Sequence, residues 1–90
     1  MAKAYVIKTD KEKIETYFVI YFPYPYDSND TIAVIYNDKN QKVGFYIELN
    51  NVIENTVKNF LKSKGRITKE INNKLEDDIK SILQKLHNLK

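Results

Sequence analysis

Side chains able to carry chemistry are few and scattered in this sequence of 90 residues. Its single histidine, His87, cannot make the usual multi-histidine metal site, and with no cysteine the chain has neither disulfides nor thiolate ligands. Asp27, Asp30 and Asp38 fall in polar stretches where Asp serves turn geometry. Their spacing is not that of a calcium loop. Gly44 and Gly65 are the only glycines, too few for a loop that cradles phosphate. No catalytic residue, metal or cofactor is therefore expected, and the chain is read as a non-enzyme.

What remains is surface chemistry. The stretch YFVIYFPYPY (17–26) holds six aromatic residues, both prolines and no charge. If Tyr17, Tyr21 and Tyr46 share a sheet face, they form one patch with Tyr24 and Tyr26. Aromatics gathered on a surface are typical anchors of a protein interface. A second surface is basic: KNFLKSKGRITK presents Lys58, Lys62, Lys64, Arg66 and Lys69 with no acid between them. Clustered cations bind phosphates by releasing counterions, although cations in the last turn of a helix are also favoured by its dipole. A third is the spacing Leu75, Ile79, Ile82, Leu86 and Leu89, the 4-3-4-3 seam of a coiled coil, through which a homo-oligomer would form.

The elements that must position these groups follow from periodicity. AYVIKT (4–9) reads as a strand, and DKEK (10–13) as a polar turn. ETYFVIYF (15–22) is apolar on both faces and so reads as a central strand. Phe18, Ile20 and Phe22 are its expected core face, because the tyrosine hydroxyls prefer water or a partner. Pro23 and Pro25 stop the ladder, since neither has an N–H to donate. TIAVIY (31–36) and KVGFYIEL (42–49) flank NDKNQ, a loop of hairpin length, and in the latter Val43, Phe45, Ile47 and Leu49 mark one apolar side. Asn51 with Glu54 suggests a capped helix over 51–64, with Ile53, Val57, Phe60 and Leu61 inward and Gly65 at its end. Thr68 opens an expected second helix over 68–89. The fold class expected is α+β: one domain, residues 1–90, in which a β-meander (1–49) of four antiparallel strands is followed by two helices on one sheet face, in the order ββββαα.

Composition narrows the setting. No apolar run approaches the roughly 20 residues of a membrane span, and MAKAYVIKTD has no signal-peptide centre. A cytoplasmic protein without membrane contact is expected. Residues 51–90 carry a net +4 and residues 1–50 a net −1, together the +3 of the chain. Lysine in place of arginine, with many Asn, Ile and Tyr, is the signature of AT-rich codons and suggests a mobile genetic element.

FPYPYDSNDTIAVIYNDKN, followed by YIELNNVIENTVKNFL and KGRITKEINNKLEDDIKSILQKL, resembles the PemK/MazF endoribonuclease toxins, whose second strand ends in an Asn-Asp turn and whose chain closes with a long helix. Thr31-Ile32 stands where that family has Arg-Pro. The resemblance implies a ribonuclease-toxin-like protein. The residues themselves favour a small regulator or inhibitor that binds a protein partner through its tyrosines, with nucleic-acid binding by residues 58–69 as the alternative.

Overall fold

Turn chemistry sets the strand boundaries. At the first turn Glu12 takes φ 63° and its N–H bonds the carbonyl of Thr9, closing the hairpin between β1 (Ala2–Lys8) and β2 (Ile14–Pro23). At the second, Asp27 Oδ1 accepts from the N–H of Asn29, and Tyr24 N–H bonds Asp30 O, so the Pro-Tyr-Pro-Tyr exit returns as β3 (Asp30–Tyr36). At the third, Asn37 Oδ1 accepts from the N–H groups of Lys39 and Gln41 while Asn40 takes φ 62°, and the chain re-enters as β4 (Lys42–Leu49). Short polar side chains bond the nearby backbone at each reversal, the Thr9 hydroxyl at the first and Asp27 and Asn37 at the other two.

The computed structural model describes residues 2–72. After β4 comes one helix, α1 (Ile53–Lys62), and then a fifth strand, β5 (Arg66–Asn72). The sheet is antiparallel throughout, in the order β4-β3-β2-β1-β5. Among the described residues no helix is long and apolar enough to cross a membrane.

Two expectations about architecture are thereby corrected. The class is still α+β, but the sheet has five strands rather than four, and among the described residues there is one helix rather than two. Residues 66–72 pair with β1 instead of opening a helix at Thr68. The free edge of β1 explains it. RITKEIN alternates well enough to serve as a strand, and an unpaired row of N–H and C=O groups on β1 offers it a ladder. The rest of the expected helix, residues 73–89, lies outside the described residues.

The helix begins at Val52, which has no side-chain cap, so Asn51 does not act as the cap. Ile53, Val57 and Leu61 recur at i, i+4 and i+8 and are buried against the sheet. Beneath them lie Tyr5, Ile7, Tyr17, Val19, Tyr21, Ala33 and Ile35, with Tyr46, Phe60 and Ile67 around the rim. The core face of β2 is thus Tyr17, Val19 and Tyr21, and not Phe18, Ile20 and Phe22 as its chemistry suggested. Phe22 is 42% exposed while Tyr21 is 6% exposed. In a strand apolar on both sides, alternation cannot choose the face. The choice falls to the path of the crossover that carries the chain from β4 at one edge to β5 at the other.

Gly65 is needed at the end of that crossover for closeness rather than for a left-handed backbone. A Cβ there would stand 2.5 Å from the carbonyl oxygen of Lys8 and 2.8 Å from Ile7 Cγ2. Gly65→Ala should therefore destabilise the fold by about 1–3 kcal/mol, as overpacking does. Chemical denaturation of the two proteins measures this; equal stability would mean that β5 is free to move away from β1.

Candidate interaction surface

An ion cluster holds α1, β1 and β5 together and bears directly on the basic segment. Lys3 Nζ, almost fully buried, donates to Glu54 Oε1 and to Glu70 Oε1, each at 3.0 Å. Lys58 Nζ completes it, 3.3 Å from Glu54 and 3.9 Å from Glu70. Burial opposes the charge on Lys3, but the hydrogen bonds and fields of Glu54 and Glu70 outweigh it and leave its pKa above the usual lysine value. Glu54 is held below the usual carboxylate range, first by the hydrogen bond from Lys3. Glu70 was not anticipated as a partner because its place beside β1 depends on β5 being a strand.

Lys58 is therefore neutralised, and the rest of the basic segment does not converge. Lys62 is exposed on α1, and Lys64 sits over the Phe60 ring, 5.3 Å from its centroid. Arg66 pairs in register with Lys8, and Lys69 with Val6, which places both toward the face away from α1.

The tyrosines divide in a similar way. Tyr17 and Tyr21 are core, and Tyr46 packs edge-on against Phe60 with ring centroids 6.2 Å apart, all three on the helix side. Tyr17 donates to Glu15 Oε1 at 3.0 Å, and burial first, then Glu15, pushes its pKa up to about 12. Burial likewise raises Tyr5 to about 12 and Tyr21 further, and the two hydroxyls interact beneath the helix. Of the five tyrosines expected to form the patch, only Tyr24 and Tyr26 stand apart from the core, in the β2–β3 loop. Their rings meet at 5.5 Å and 69°, and Tyr26 is 87% exposed. Leu75, Ile79, Ile82, Leu86 and Leu89, the expected oligomer seam, lie outside the described residues, as does His87.

Another surface emerges on the far face of the sheet. Register places Ala2, Ile20, Val34 and Phe45 in one row across four strands, and Phe22, Ile32 and Ile47 in the next. On this face Ala2 and Ala4 of β1 and Ile32 and Val34 of β3 are buried. Toward β4 it is large and open: Val43, Phe45, Ile47 and Leu49, with Phe22 beside them, are all exposed, Phe45 to 50% and Leu49 to 52%. The alternation in β4 marked these four residues as one apolar side, and it is the side that α1 does not cover.

At the end of this row, next to Phe22, an open cavity of about 320 Å³ is lined by Tyr21, Phe22, Pro23, Ser28, Thr31 and Asn50. Thr31 Oγ1 donates to Asn50 Oδ1, and Asn50 Nδ2 to Ser28 O at 3.4 Å, so the polar groups of its wall are engaged with one another. Among the described residues no three His, Cys, Asp or Glu side chains gather into a metal site. Asp27 is occupied by its turn. Comparison with protein-family models, with curated proteins and with solved structures yields no match in any of the three.

Proposed function

We propose that this chain is a non-enzymatic binding module, a small regulator or inhibitor that acts by occupying the surface of a protein partner in the cytoplasm. The observation that carries this reading is the exposed apolar row of Phe22, Val43, Phe45, Ile47 and Leu49. Contiguous apolar surface of this kind marks interaction sites, and large side chains standing together supply the anchors on which binding energy concentrates. Tyr24 and Tyr26, paired at the end of β2, extend the surface with two rings that also carry hydroxyls. The contact surface proposed is thus the far sheet face and its adjoining loop, with Tyr17, Tyr21 and Tyr46 serving the fold.

The test is a pull-down with and without nuclease, repeated with a Phe22→Ser/Phe45→Ser variant and followed by reconstitution from purified components. The expected result is a stoichiometric protein partner that survives nuclease and is bound at least about 30-fold more weakly by the variant, the loss typical of a hot spot. Retention that vanishes with nuclease and falls steeply with salt would favour nucleic-acid binding by Lys62, Lys64 and Arg66 instead. Cleavage of RNA by the purified chain would favour the ribonuclease implied by the PemK/MazF resemblance.

A further inference from the structure

The middle of the far sheet face is more buried than the strands around it explain. Ile32 and Val34 alternate along β3 with Ala33 and Ile35, so they point away from α1 and stand outside the cluster beneath it. They are nevertheless 8% and 7% exposed, as closed as Tyr21 and Tyr17 on the helix side. Ile32 lies between Phe22 and Ile47, and Val34 has Phe45 on one flank, yet all three of these neighbours are exposed. Paired strands close a side chain from its flanks and leave its outer end to whatever lies above the sheet. Among the described residues no element lies there, since the one helix is on the other face.

Residues 73–90 have the composition and the reach to cover it. Leu75, Ile79, Ile82, Leu83, Leu86 and Leu89 recur at i, i+4, i+7, i+8, i+11 and i+14, one face of a helix, and the stretch contains no proline or glycine. A stripe of large apolar side chains needs a surface to bury against. The chain is delivered beside one. Ile71 pairs with Ala4 and so stands on the far face, and Asn72 pairs with Lys3, one residue short of the row of Ala2, Ile20 and Val34. From β5 to β3 is three strand spacings, about 14 Å. Residues 73–90 wound as a helix span about 27 Å, enough to cross that distance.

We infer that residues 73–90 lie across the far face of their own sheet as an amphipathic helix, with its apolar side seated on Ile20, Ile32 and Val34. The sheet is then covered on both faces, by α1 on one and by this segment on the other, and the 4-3-4-3 seam is used within one chain rather than between two. Val43, Phe45, Ile47 and Leu49 stay at the open margin. The inference goes beyond the proposed binding function and stands whether or not a foreign protein docks on that margin.

Methyl-labelled NMR of the full chain tests it. Contacts are expected between the methyl groups of Ile32 or Val34 and those of Ile79, Ile82 or Leu86, within one chain. A mixture of labelled and unlabelled chains identifies any contact made between chains. In an Ile79→Ser/Ile82→Ser variant, broadening of the Val34 methyl signals by a soluble paramagnetic agent should rise several-fold, while Val57, buried beneath α1, keeps its protection and shows that the fold is kept. A wild-type chain without these contacts overturns the inference, as do contacts found only between chains, which would make the occupant a second copy. Equal protection of Val34 in variant and wild type also overturns it, because the strands alone would then close that site.

Discussion

Tyr21→Ala is expected to cost about 3–5 kcal/mol, the range for emptying an aromatic site in a core, whereas Phe22→Ala, one residue along, should change stability by less than about 1 kcal/mol. Domains of this kind are stable by only about 5–15 kcal/mol, so the first variant approaches unfolding. The contrast follows from the pleat. Tyr21 lies 6% exposed in the core cluster that also holds Val57 and Leu61 of α1, and Phe22 points the opposite way. Equilibrium unfolding in urea compares the pair directly. Equal losses would show that the far face is packed as tightly as the near one, and the proposed interaction surface would be lost with that result.

Stability is expected to fall steeply above pH 10, and the sign follows from the tyrosines. In the unfolded chain a phenol ionises near pH 10. In the fold, burial holds Tyr5 and Tyr17 to about 12 and Tyr21 higher still. A raised pKa favours the protonated fold, so this stabilisation is complete below pH 10 and is lost as pH rises through the folded values. Two pH units on one fully buried tyrosine correspond to about 3 kcal/mol. Lys3, whose pKa is also raised, adds to the loss in the same direction. Thermal melts from neutral pH to about pH 12, followed beside phenolate absorbance, should show ionisation and unfolding arriving together. Tyr5→Phe should flatten part of the decline. Ionisation of Tyr5 or Tyr21, read as the difference from the Phe variant at each position, near pH 10 while the fold persists would contradict the burial of this cluster.

The sequence by itself determined the local pieces. Thr9 to Lys13, Asp27 to Asn29 and Asn37 to Gln41 reverse the chain where their composition says they should, because turn residues bond their own backbone and need no distant partner. The three long strands after β1, and the helix with Ile53, Val57 and Leu61 inward, follow from period 2 and period 3.6 for the same reason. Three matters were decided only in three dimensions. RITKEIN is a strand because β1 offers it an unpaired edge, a partner more than fifty residues away in sequence. Tyr17 and Tyr21 are core because α1 crosses on their side of a strand that is apolar on both. Lys58 leaves the basic segment because Glu54 and Glu70, from two different elements, meet it beside Lys3. In each case neighbours in sequence leave two arrangements nearly equal in energy, and a long-range contact, whose loop-closure entropy no local pattern reveals, selects one of them.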